Sequence, residues 1–189
     1  MEAFLTSTLT VALAEIGDKT QLLSLFLATR FRNKWAIIAG ILVATLANHG
    51  VSAWLGDLIG DYLASATGQW LIGGSFIALG LWLLVPDKDD SEDSAVERYG
   101  AFVATTVMFF LAEIGDKTQV ATVLLGAQYQ SVFWVTVGTT LGMLLANVPV
   151  VLAGDYLMRR IPLQPVRILA AGAFIVVGLL QLPLRATFG

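Results

Sequence analysis

Apolar residues run along this chain in six long blocks, near residues 3–29, 34–57, 69–86, 101–127, 132–157 and 164–183. Each is close to the roughly 20 residues a helix needs to cross a bilayer. Charges, Gly and Pro close the blocks, in Arg30-Phe31-Arg32-Asn33-Lys34, from Asp57 to Gln69, from Pro86 to Arg98, from Gln128 to Ser131 and from Arg159 to Pro165. Strands of a membrane barrel would alternate with period two, and these blocks do not. The pattern predicts an all-α membrane protein of six transmembrane helices. The first block carries Glu15, Asp18 and Lys19, which a cleavable signal segment should not, so it is expected to be a retained helix.

Two of the blocks are interrupted in the same way. Ala14-Glu15-Ile16-Gly17-Asp18-Lys19-Thr20-Gln21 recurs letter for letter as Ala112-Glu113-Ile114-Gly115-Asp116-Lys117-Thr118-Gln119. A charge at bilayer depth costs roughly 2.5 to 3.5 kcal/mol, so three in one segment cost about 8 to 10 kcal/mol, only partly offset by the apolar residues around them. Such a helix needs partners, and its charges are a functional site by default.

At the same offset Gly40 matches Gly138, Gly74 matches Gly172, Phe76 matches Phe174, Ile77 matches Ile175 and Gly80 matches Gly178; Leu46-Ala47-Asn48 matches Leu145-Ala146-Asn147 after a one-residue shift. The repeating unit is three spans, an odd number, and the linker Asp87-Lys88-Asp89-Asp90-Ser91-Glu92-Asp93-Ser94 is too charged to cross a bilayer. The second half must then enter from the opposite face. The expected organisation is a first three-helix repeat over 1–86, an acidic cytoplasmic linker over 87–98 and a second, inverted three-helix repeat over 99–189, with a substrate site near the midplane where the repeats meet. Lys and Arg concentrate in the first loop (Arg30, Arg32, Lys34), the third (Lys88, Arg98) and the fifth (Arg159, Arg160, Arg167), with Arg185 alone on the other side. By the positive-inside rule both termini face away from the cytoplasm. Trp35, Trp70 and Trp134 stand at predicted helix ends, as in aromatic belts.

Composition narrows the function classes. With 57% hydrophobic and 13% charged residues the chain is too apolar for a water-soluble domain. A net charge of -3 offers no basic face for nucleic acid. No cysteine is present, which removes disulfides, thiolate metal sites and Cys nucleophiles.

The doubled motif supplies Glu15, Asp18, Glu113 and Asp116, with Thr20, Gln21, Thr118 and Gln119 as neutral oxygen donors. On a continuous helix the i, i+3 spacing puts Glu15 and Asp18 on one face; a break at Gly17 and Gly115 would instead free backbone carbonyls. This all-oxygen set suits Mg²⁺, Ca²⁺ or Mn²⁺. Lys19 and Lys117 balance charge, and since neighbours on a helix do not face each other, any ion pair they make is with another helix. Four carboxylates and two lysines sum to -2, which one divalent cation or two protons neutralises. Electroneutral exchange of one metal ion for two protons follows as a hypothesis, with the four carboxylates carrying both.

E-x-G-D-[KR]-[TS], present twice in a chain of six predicted helices with an acidic central loop, resembles the cation/proton antiporter family that includes Golgi and chloroplast manganese and calcium transporters and bacterial manganese exporters. The resemblance covers essentially the whole chain and implies that Glu15, Asp18, Glu113 and Asp116 carry metal and protons, with Mn²⁺ or Ca²⁺ exchanged for H⁺. Without the long N-terminal extension of eukaryotic members, it implies a bacterial-type protein of the inner membrane. Metal ion, protons and the bilayer are then the partners, the metal is a transported substrate, and no prosthetic group is expected.

Other residues read more plainly. His49, the only histidine, is a metal-capable side chain in the second block, but the other half has Val148 at the corresponding place. Asn48 and Asn147 either back the metal ligands or bond across helices. Asp57, Asp61 and Asp155 read as solvated residues near helix ends, and Gly73, Gly74 and Gly172 as close-packing surfaces. The rival functions are a proton-independent divalent cation channel or uniporter, a metal-dependent intramembrane hydrolase short of a nucleophile or base, and a non-transporting assembly factor that would tolerate loss of Glu15 and Glu113. The expectation is a transporter and not an enzyme.

Overall fold

The two motif-bearing blocks do not fold as single helices. In the computed structural model, which describes residues 1–63, 65–84, 100–153 and 163–182, the first block is α1 (Glu2–Glu15) and α2 (Lys19–Arg30). The fourth is α5 (Gly100–Glu113) and α6 (Lys117–Tyr129). Both breaks have one cause: Gly17 and Gly115 adopt φ of +81° and +73°, a left-handed conformation that glycine enters without steric cost. Asp18 and Asp116 follow in extended conformation and begin the next helix as N-caps. Fourteen residues of helix reach about 21 Å, short of the roughly 30 Å of a bilayer core, so α1 and α5 each stop part-way.

The remaining elements are α3 (Lys34–Leu63), α4 (Ala66–Leu83), α7 (Val132–Ala153) and α8 (Leu163–Gln181), and no strand occurs among the described residues. Of these, α3 over Lys34–Asp61 and α7 are long and apolar enough to cross a membrane alone. The second block therefore runs beyond its predicted end at residue 57. Asp57 and Asp61 lie inside α3 rather than in a loop, because Gly56 and Gly60 let α3 lie against Val123, Ala127 and Gln130 of the α6 region. Asp61 Oδ1 accepts a 2.7 Å hydrogen bond from Gln130 Nε2 there. Ser65 caps α4 by accepting from Gly68 N–H, which starts that helix earlier than predicted. The linker 87–98, with Lys88 and Arg98, and Asp155, Arg159, Arg160 and Arg185, lie outside the described residues.

Packing repeats with the halves exchanged. Gly40 of α3 meets Phe102 and Thr105 of α5, while its counterpart Gly138 of α7 meets Phe4 and Ser7 of α1. Gly80 packs on Ala171 and Ile175; Gly178 packs on Gly73 and Ile77. The last two contacts run in opposite chain directions, so α4 and α8 are antiparallel. The equivalent residues Phe76 and Phe174 meet each other in that interface, ring centroids 6.1 Å apart. Gly73 is thus a close-packing glycine as predicted. Gly74 and Gly172 are not: both are exposed with nothing within 4 Å of a Cβ added there, because they lie on the outer faces of α4 and α8.

Polarity is reversed relative to a water-soluble protein. Leu5, Leu9, Trp54, Leu58, Leu111 and Leu180 are exposed, whereas Glu15, Thr20, His49, Glu113, Thr118 and Asn147 are wholly buried. Trp35, Trp70 and Trp134 are exposed near the starts of α3, α4 and α7. In lipid the outer surface is already solvated, so cohesion falls to close helix contacts and internal polar bonds. A Cβ on Gly138 would lie 2.6 Å from the Phe4 carbonyl oxygen. Gly138→Ala is expected to cost about 1 to 3 kcal/mol by overpacking, whereas Gly74→Ala should gain about 0.4 to 1 kcal/mol; thermal unfolding in detergent micelles compares the two.

Candidate metal centre

Glu15 ends α1 and Glu113 ends α5, so each carboxylate sits at the partially negative end of a helix, a place that favours a cation. The backbone then turns back identically in both halves. Asp18 N–H donates to Glu15 O and Asp116 N–H to Glu113 O, each at 3.1 Å. Gly17 N–H donates to Gln21 Oε1 at 2.8 Å, and Gly115 N–H to Gln119 Oε1 at 2.7 Å. Each glutamine thereby closes the unwound turn, which would otherwise leave a backbone N–H unpaired.

The breaks bring carboxylates from both halves together. One oxygen from each of Glu15, Glu113 and Asp116 lies within 4.8 Å of the others, and all three residues are buried. Thr20 Oγ1 donates to Glu15 Oε2. Thr118 Oγ1 lies 2.9 Å from Glu113 Oε2 and 3.3 Å from Asp116 Oδ2, and Thr118 N–H donates to the latter oxygen. Glu15 Oε1 and Glu113 Oε1 are buried with no hydrogen bond. Buried carboxylate oxygens without a partner are costly unless a cation or proton satisfies them.

The lysines cross between the halves. Lys19 Nζ is 2.9 Å from Asp116 Oδ1, and Lys117 Nζ is 4.0 Å from Asp18 Oδ1. The relation is reciprocal but unequal: the Lys19 side chain is 31% exposed and that of Lys117 is 4%, with Lys117 Nζ 5.8 Å from the centre of the Trp82 ring.

The family profile described as "Divalent cation/proton antiporter GDT1" matches residues 3–91 and 101–184. The chain belongs to this family. It is 54% identical over 180 residues to a Vibrio cholerae protein named "Putative manganese exporter", covering 95% of this chain and 90% of that one. A GDT1-like protein of Synechocystis is 24% identical over 92% of the chain and 93% of its own length, and "GDT1-like protein 3" of rice is 24% identical over 92% and 71%. No solved structure matches significantly. The GDT1 family is one of transporters, not enzymes, so cation transport is the activity class and the hydrolase reading falls. With its apolar helices, this family member is an integral membrane protein.

Of the sequence-predicted residues, Glu15, Glu113, Asp116, Thr20, Thr118 and Lys19 converge. Asp18 faces Lys117 and is not among the three carboxylates that meet within 4.8 Å; of the two alternatives the motif left open, a continuous helix or a break at Gly17 and Gly115, the structure has the break. Gln21 and Gln119 face the backbone turn, and Gln21 Nε2 also donates to Ala146 O of α7 at 2.9 Å. Asn48 donates to Phe110 O at 3.0 Å, joining α3 to α5, and Asn147 Oδ1 accepts from Ser24 Oγ at 2.8 Å, joining α7 to α2. Sequence reasoning missed Ser24, whose hydroxyl looks ordinary in a string, and Trp82, whose nearness to Lys117 depends on tertiary packing. Gln21→Leu should remove the acceptor of Gly17 N–H and a bond to α7, destabilising the protein by about 1 to 3 kcal/mol, read as a lower unfolding midpoint.

Proposed function

We propose that this chain exports a divalent cation, Mn²⁺ in preference to Ca²⁺, from the cytoplasm in exchange for protons, through a midplane site formed by Glu15, Asp18, Glu113 and Asp116. The supporting observation is the buried meeting of Glu15, Glu113 and Asp116 with unpartnered oxygens on both glutamates. Thr20 and Thr118 orient the glutamates, and Lys19 and Lys117 offset part of the acidic charge. Asp18 joins the set as a carboxylate held by Lys117. The name of the Vibrio relative favours Mn²⁺.

The architecture proposed around this site is six membrane crossings, with α1–α2 and α5–α6 each forming one crossing in two pieces. Two inverted halves, 1–86 and 99–189, flank the acidic linker 87–98. The exchanged glycine contacts and the antiparallel α4 and α8 support inversion. Location in a bacterial inner membrane is supported by the Vibrio relative, and placement of both termini outside the cytoplasm by the Lys and Arg pattern.

Two protons and one divalent cation carry equal charge, so exchange leaves the centre neutral in both loaded states. In proteoliposomes an outward Mn²⁺ gradient is expected to drive opposing proton movement that an imposed membrane potential does not alter. Asp18→Asn and Glu113→Gln should each slow it by about 10- to 100-fold or more. Metal flux indifferent to pH would favour a channel, and full activity of Glu113→Gln would refute the site.

A further inference from the structure

His49 is the one histidine of the chain and lies in α3, wholly buried. Neither ring nitrogen has a hydrogen-bond partner, which is unusual for a buried imidazole carrying one donor and one acceptor. Its Nε2 points at the carboxylate centre, 3.8 Å from Glu113 Oε2 and beyond hydrogen-bond reach. Glu113 Oε1, on the same carboxylate, is also unpartnered. Of its polar neighbours on α3, Asn48 Nδ2 is committed to Phe110 O and Ser52 Oγ to Asn48 O, while Thr45 Oγ1, one turn before, is also buried without a hydrogen bond. The imidazole is thus an uncommitted polar group of α3 that stands beside Glu113.

We propose that His49 is a nitrogen ligand of the transported cation and gives the site its preference for a first-row transition ion such as Mn²⁺ over Ca²⁺ and Mg²⁺. This rests on the four-carboxylate transport reading and adds a donor of a different kind to it. Donor atoms on adjacent corners of an octahedral ion stand about 3 Å apart, so closing 3.8 Å to that spacing needs a side-chain shift of under about 1 Å. Ca²⁺ and Mg²⁺ are hard ions that favour oxygen donors, whereas neutral imidazole binds transition ions. A purely carboxylate and hydroxyl cage lacks that discrimination. The repeat-related position holds Val148, so the cage takes one nitrogen from one half only.

The sole histidine makes the test specific. Full-length protein labelled with ¹⁵N-histidine and loaded with Mn²⁺ in nanodiscs should show ¹⁵N coupling to the ion in pulsed electron paramagnetic resonance. In proteoliposomes, the preference for Mn²⁺ over Ca²⁺ should fall by about tenfold or more in His49→Gln. Bound Mn²⁺ without ¹⁵N coupling overturns the proposal, as does an unchanged Mn²⁺ to Ca²⁺ preference in folded His49→Gln. If that variant fails to fold, the wild-type coupling decides alone. Wild-type protein that neither binds Mn²⁺ nor exchanges it for protons would instead refute the carboxylate site, and this ligand with it.

Discussion

Everything at the centre of this protein depends on opposite charges reaching across from one half of the chain to the other. Lys19 meets Asp116, and Lys117 faces Asp18. Removing one member of a buried pair leaves an uncompensated charge, at a cost of about 3 to 5 kcal/mol. Each half bonds its own glutamate through a threonine, Thr20 to Glu15 and Thr118 to Glu113, while each aspartate faces the lysine of the other half. The two halves are thus joined at the same motifs that supply the buried cluster of carboxylates.

Local backbone geometry makes that crossing available. A continuous helix would distribute Glu15, Asp18 and Lys19 around its own surface and leave part of that charge in lipid. The glycine turn ends one helix at the glutamate and starts another at the aspartate, so helix ends with exposed peptide dipoles converge. Gln21 and Gln119 satisfy the glycine N–H groups, and Thr20 and Thr118, in the first turns of the new helices, reach back to the glutamates. The motif letters after the acidic pair therefore maintain the turn as well as hold the glutamate carboxylates.

The helical character, the doubled motif and the meeting of Glu15 with Glu113 were legible because they are written as composition and repetition. Equivalences such as Gly40 with Gly138 were visible as letters, and their meaning, a backbone approach between α3 and α5 and between α7 and α1, followed only from packing. The end of α3 was misjudged because Asp57 and Asp61 look like loop residues until Gln130 is seen beside Asp61. Gly74 and Gly172 were misassigned because periodicity does not say which face of α4 or α8 turns outward. The difference between Lys19 and Lys117 in exposure has no trace in the string, since both motifs are identical there.

The cross-half pairs also set a timetable for synthesis. Lys19 emerges from the ribosome half a chain before Asp116, a delay of about 5 to 20 seconds at ordinary elongation rates. For that interval the nascent first half holds Asp18 before Lys117 exists and Lys19 before Asp116 exists, at the junction of α1 and α2, each too short to span the bilayer alone. Its early residence must be at the water interface or within the insertion machinery, and assembly becomes self-sustaining once α5 and α6 arrive.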